Sequence, residues 1–179
     1  MRAFVVLSLL CSCAGTTQSV KTKASDYYPL RTGVTWVYKG TFLGQQETRT
    51  IVMGAEDQDG FFTDDTGAKL TYDGEGLRDE RRYLLREPIH PGAKWQSVAA
   101  LGVIEKYAIT KVHEPCEAPA GKYEDCITVT SELPAADKKR LEATLVYAKT
   151  IGLVRLETTL VEGEKRTPQV HMELVQFRP

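Results

Sequence analysis

No apolar run in this chain is long enough to cross a bilayer. The longest, Ala3–Leu10, is short and broken by Ser8, whereas a spanning helix needs about 20 apolar residues. Charge excess is missing too. With 23 Lys+Arg against 24 Asp+Glu, there is no electrostatic basis for gripping nucleic acid or an anionic membrane surface. Histidine is scarce: His90, His113 and His171 stand far apart. His113-Glu114-Pro115-Cys116 brings two candidate ligands close, but Pro115 breaks regular geometry between them. Zinc wants three or four converging ligands, so no metal is expected. No glycine-rich loop opens a helix to cradle phosphate, and Ser97 and Ser131 lack a nucleophile elbow. The adjacent acids Asp64-Asp65 and Asp79-Glu80 point to opposite faces of a strand and cannot form a dyad. Asp57, Asp59, Asp64 and Asp65 miss the calcium-loop spacings and read as solvated turn acids. These absences exclude the common catalytic constellations and any cofactor, so the chain reads as non-enzymatic.

What is present begins at the N-terminus. Arg2 precedes an apolar stretch that ends in Leu10-Cys11-Ser12-Cys13, the order of a secretory signal peptide. The segment resembles the bacterial lipobox, in which an apolar, a variable and a small residue precede an invariant cysteine. The resemblance implies that residues 1–12 are removed, that Cys13 is acylated, and that the protein hangs from a membrane by palmitate-like chains. Cys11 fits less well, because bulky Leu10 precedes it. Soluble secretion after ordinary cleavage near Ala14-Gly15 is the alternative. Ala14 stands where inner-membrane retention would use aspartate, which implies an outer-membrane location facing the periplasm. Residues 13–25 are small, polar and without apolar periodicity, so they read as a flexible tether. Residues 26–179 read as one domain of ordinary size.

Within that domain the recurrent signal is apolar alternation with a period of two, punctuated by turn residues. It predicts ten to twelve strands, among them Val34–Phe42, Glu47–Met53, Lys69–Tyr72, Leu77–Arg86, Val103–His113, Cys126–Glu132, Leu141–Lys149, Gly152–Glu162 and Gln169–Phe177. Helical stripes are absent, and Pro134–Arg140 is the best place for a short helical turn. Short strands joined by short turns pair antiparallel with their sequence neighbours. So many strands in one sheet must curl. The expected fold is all-β: a strongly curved antiparallel sheet, half-barrel or open barrel. An internal echo supports it. Pro29-Leu30-Arg31-Thr32-Gly33-Val34-Thr35-Trp36 and Pro88-Ile89-His90-Pro91-Gly92-Ala93-Lys94-Trp95 share the pattern P-[LI]-x-x-G-x-x-W, which suggests two related sheet halves.

Cys116 and Cys126 are the two cysteines left in the body, and in an exported chain they read as one structural disulfide. Such a staple is worth about 3 kcal/mol by chain entropy. The large aromatics have two readings. They fill a core, or they line an apolar hollow in a sheet too wide to fill itself. On the second reading Trp36, Tyr38, Trp95, Tyr107 and Tyr147 would bind a hydrophobic or lipid-like ligand. A rival reading makes the chain an assembly partner in an envelope complex that docks through strand edges or a sheet face.

Tyr28-Pro29-Leu30 with Gly33, Trp36 and Tyr38; Pro119-Ala120-Gly121 with Tyr123 and Cys126; and Tyr147-Ala148 with Gly152-Leu153-Val154 are similar to phrases of uncharacterised bacterial envelope lipoproteins. Those families resemble, at the level of fold, the curved sheets of the lipoprotein carriers LolA and LolB. The resemblance implies a hydrophobic ligand and carries over no catalytic residue.

Overall fold

Turn chemistry sets the strand ends. Asp57, Asp64, Asp73 and Asp79 each accept backbone N–H groups two to four residues ahead, at 2.6–3.0 Å, the side-chain mimicry of a turn that favours aspartate there. Asp64 is therefore no solvated acid. It is buried, and its Oδ1 accepts from the N–H of Thr66, the hydroxyl of Thr66 and the N–H of Ala68.

A computed structural model describes residues 21–179. The strands are β1 (Thr35–Phe42), β2 (Gln45–Glu56), β3 (Phe62–Asp64), β4 (Lys69–Asp73), β5 (Gly76–Arg78), β6 (Tyr83–Arg86), β7 (Lys94–Ala100), β8 (Val103–Ala118), β9 (Gly121–Pro134), β10 (Arg140–Ala148), β11 (Gly152–Glu162) and β12 (Lys165–Arg178). They form one antiparallel sheet in the spatial order β6-β5-β4-β3-β2-β1-β12-β11-β10-β9-β8-β7, bent nearly into a closed barrel. The expected all-β, strongly curved antiparallel sheet is the fold the chain adopts.

That order is two six-strand meanders, β1–β6 and β7–β12, joined by the β1–β12 ladder and meeting again at the β6–β7 seam. The repeated motif opens each half, and the two copies make the same bonds. Gly33 N–H donates to Met53 C=O at 2.8 Å, Met53 N–H to Val34 C=O at 2.9 Å, and Val34 N–H to Arg31 C=O at 3.3 Å. In the second copy Gly92 donates to Ile109 at 2.8 Å, Ile109 to Ala93 at 2.9 Å, and Ala93 to His90 at 3.2 Å. Both glycines have positive φ, 86° and 84°, the conformation that selects glycine at such a corner.

Three further sequence expectations need correction. Leu77–Arg86 is not one strand: Asp79 caps a turn that divides it into β5 and β6. The strands at Val103–His113 and Cys126–Glu132 are longer than expected. β8 runs on to Ala118 and β9 starts at Gly121, so the cysteines sit on paired strands near a hairpin tip. Pro134–Arg140 makes no helical turn. Asp137 and Lys138 both take positive φ, and Ala135 N–H bonds Lys139 C=O at 2.8 Å, closing a tight hairpin. Mirror-type turns of this kind match strand twist.

The strands give the barrel two ends. The β4–β5, β8–β9 and β10–β11 turns lie at the end where the described chain begins. The β1–β2, β5–β6, β7–β8, β9–β10 and β11–β12 turns lie at the other, here called distal. At the near end, the last residues of the expected tether pack against the sheet. Ala24–Asp26 forms a single 3-10 turn, Ala24 and Tyr27 are buried, and Ala24 N–H donates to Glu87 at 3.0 Å.

Candidate functional site

All five aromatics expected to line a hollow face the interior: Trp36, Tyr38, Trp95, Tyr107 and Tyr147 are each at most 5% exposed. They belong to one continuous apolar cluster with Met53, Leu77, Ile109, Ile127 and Leu174. Strand alternation puts them there, with Val34, Trp36 and Tyr38 on the same face of the chain that forms β1. Their polar ends have defined partners. The β11–β12 ladder stops at Arg155 and Glu173. Beyond it, carbonyls of the β10–β11 turn and of β11 accept from β1 side chains: Trp36 Nε1–H donates to Ile151 at 2.7 Å, and Tyr38 hydroxyl to Leu153 at 2.8 Å. Across the seam, Trp95 Nε1–H donates to Tyr83 C=O at 2.9 Å. Trp95 and Tyr107 stack with centroids 5.1 Å apart, and Tyr28 meets Tyr147 edge-on. Burial, with Glu105 as a hydrogen-bond partner, pushes the Tyr107 hydroxyl well above its ordinary pKa. Burial does the same to Tyr38 and Tyr147. Among the described residues no fully buried side-chain nitrogen or oxygen lacks a partner.

Sequence reasoning missed a polar cluster under the distal rim. Glu105 is buried on the inward face of β8. It accepts from the Ser131 hydroxyl at 2.8 Å and pairs with Arg82 at 3.3 Å, while Arg82 also pairs with Asp79 at 3.0 Å. Alternation could have placed Glu105 inward beside Tyr107 and Ile109. Nothing in the sequence marks Arg82, which arrives from another strand connection. Above this cluster lies a cleft of about 460 Å³ lined by Lys69, Asp79, Glu80, Arg81, Arg82, Ala99 and Leu133, among others. A second cleft of about 450 Å³ crosses β7–β10, with Lys94, Lys106, Thr130 and Thr144 in its lining.

Among the described residues the large exposed apolar side chains, Leu43, Val98, Leu101 and Ile104, sit on the distal end. Three of them occupy the β7–β8 hairpin, and Leu101 at its tip is fully exposed. A concentration of this kind marks a contact surface more often than scattered single residues do.

At the near end, Asp125 accepts from the Tyr27 hydroxyl at 2.6 Å and from Lys149 Nζ at 3.0 Å, and lies 2.9 Å from His113 Nδ1. Although burial opposes ionisation, these bonds hold its carboxyl below the usual range. His113 Nε2 lies 3.2 Å from Thr22 Oγ1. Hydroxyl, imidazole and carboxylate thus fall in line, but His113 is about half exposed and Tyr27 shares the same Nδ1 and Oδ1 atoms. The arrangement fastens the N-terminal segment to β8, β9 and the β10–β11 turn. His90 and His171 are elsewhere; His171 lies near Glu157 and Glu173. Cys116 and Cys126 are joined as a disulfide with Cα atoms 6.1 Å apart. Cys13, and with it the expected lipid site and signal segment, lies outside the described residues.

Fold and rim together define a near-closed twelve-stranded antiparallel barrel, with one apolar cluster of buried side chains inside and a polar cleft and an apolar hairpin at one end. No protein-family model matches the chain, and no curated protein matches it. Among solved structures it is similar to a candidate lipoprotein from Parabacteroides distasonis ATCC 8503. The two are 14% identical with a TM-score of 0.48, over 84% of this chain and 97% of that one.

Proposed function

We propose that this chain is a lipid-anchored, non-enzymatic protein of the cell envelope that works by docking another protein. Acylation at Cys13, anchoring in the outer membrane and exposure to the periplasm are parts of the same reading, and they rest on the lipobox-like segment. The observation that carries the docking role is the placement of exposed apolar side chains. Val98, Leu101 and Ile104 share one hairpin at the end opposite the N-terminal segment. A tethered protein with such an end presents it away from its own anchor.

Binding of a hydrophobic or lipid-like ligand is the second reading, supported by the resemblance to LolA and LolB. A ligand among Trp36, Tyr38, Trp95, Tyr107 and Tyr147 has to displace packed aromatics, and the distal cleft is lined mainly by charged residues.

Photo-crosslinking from position 101 of the full-length chain in intact cells tests the docking role. A discrete protein adduct from position 101 is the expected result, and the adduct formed from a crosslinker at position 98 should be lost when Leu101→Asp is added. Adducts to lipid alone, together with lipid retained by protein purified without detergent, would overturn it in favour of the ligand reading.

A further inference from the structure

β7 is an edge of the sheet, and among the described residues its backbone ladder runs to β8 alone. Its outward-facing backbone groups can be identified. Ile109 bonds toward β7 through both its N–H and its C=O, to Ala93 and Gly92. Antiparallel alternation then turns Tyr107 and Glu105 toward β7, and their partners Trp95 and Ser97 toward β8. Gln96 and Val98, lying between, present N–H and C=O to the seam. β6 begins only at Tyr83, whose carbonyl meets Trp95. Past that contact, at Ala99, the seam widens into the 460 Å³ cleft.

Proteins usually protect an open edge with charge, proline or a bulge. Here a register shift lies beyond Val98, but Gln96–Ile104 contains neither a charge nor a proline. The cleft beside this edge holds Lys69, Arg81 and Arg82 against Asp79 and Glu80. Arg82 is paired with Asp79 and Glu105, and Lys69 with Glu80; Arg81 has no ion pair among the described residues.

We infer that an extended segment of a different protein adds as a strand along Gln96 and Val98, with apolar residues beside Val98 and an acidic side chain on Arg81 in the cleft. The inference rests on the docking reading and specifies its chemistry. A second copy of this chain fits less well, because its own edge strand, Lys94–Ala100, carries no acid.

Two synthetic peptides test it against the full-length chain in detergent: acetylated and amidated Val-Thr-Val-Glu-Val-Thr-Val, and the same sequence with Lys at the centre. The Glu peptide is expected to slow amide exchange at Gln96 and Val98 and to bind at least about tenfold more tightly than the Lys peptide. Val98→Pro removes the seam-facing N–H and should abolish that protection, while Val98→Ala keeps it. Arg81→Glu leaves the strand untouched and should reverse the preference between peptides. Equal binding of both peptides, binding indifferent to both Val98→Pro and Arg81→Glu, or protection of these amides by added unlabelled chain or anionic vesicles instead would overturn strand addition. If strand addition fails in these ways while position 101 still crosslinks to a protein in cells, docking stands and its chemistry is different. Loss of both removes the docking reading itself.

Discussion

The indole N–H of Trp95 donates to the backbone carbonyl of Tyr83 at 2.9 Å, spanning the seam between the two edge strands. The ends of the twelve-stranded sheet are thus held together by side chains where a ladder is missing. Arg82 with Glu105 makes a second tie across the same seam.

Trp95→Phe keeps most of the buried ring and its stacking on Tyr107 while removing the donor. An unmet hydrogen bond at a buried site costs about 1–3 kcal/mol. The expected outcome is a loss of that size in chemical denaturation, with amide exchange rising first in β6. Unchanged exchange in β6 would show that the bond does not hold the seam.

Much of this fold was legible in the sequence, because alternation and turn residues are local signals. The repeated P-[LI]-x-x-G-x-x-W motif foretold two matched halves, since a positive-φ glycine and an anchoring tryptophan recur wherever the same corner does. Curvature followed from strand number. Whether the barrel holds a hollow was not legible. Trp36, Tyr38 and Tyr147 read the same way along the chain whether they line a cavity or fill it. Their packing depends on Met53, Leu174 and Tyr28 arriving from distant segments. The rim cluster of Arg82, Glu105 and Ser131 was hidden for the same reason. The hairpin around Leu101 could have been read directly, since an uncharged run from Gln96 to Ile104 at a strand-turn-strand signal places apolar residues on a tip.

The disulfide between Cys116 and Cys126 ties β8 to β9, which are already paired. A loop of this length is worth about 3 kcal/mol on the chain-entropy model. Replacing both cysteines by alanine should lower unfolding free energy by about 2–3 kcal/mol while leaving the circular-dichroism spectrum of the sheet unchanged. A loss of sheet signal at 25 °C would mean that the hairpin cannot form without the bond.

Asp125 makes stability depend on acid. Its carboxyl is held below the ordinary range by Tyr27, Lys149 and His113, although burial opposes this. A group whose folded pKa is depressed contributes stability above its unfolded pKa, about 3.9, and loses that contribution as pH falls through the folded value. The wild-type chain should therefore lose melting temperature steeply below about pH 4. Asp125→Asn should lower stability near neutral pH and flatten that acid limb. The N-terminal segment should loosen in the same window, read as faster amide exchange at Thr150, whose N–H donates to Asp26 C=O at 2.7 Å. An acid limb identical in both proteins would show that Asp125 is not responsible.

At Gly152 a single added methyl group would meet the aromatic interior. Its φ is +108°, and an added Cβ would lie 3.0 Å from Trp36 Nε1 and 3.4 Å from the Tyr28 ring. The indole cannot retreat without leaving Ile151 C=O, which it meets at 2.7 Å. Gly152→Ala therefore combines backbone strain with a broken buried hydrogen bond, each worth about 1–3 kcal/mol. Gly163 offers the control. Its φ is +59°, and an added Cβ meets nothing within 4 Å, so Gly163→Ala carries backbone strain alone. The expected order is a loss of several kcal/mol at 152 and of about 1 kcal/mol at 163, with the tryptophan fluorescence of the folded protein shifted only by the first. Equal losses with unshifted fluorescence would mean that Trp36 has room to move, and that the interior around it is looser than its packing and bonds imply.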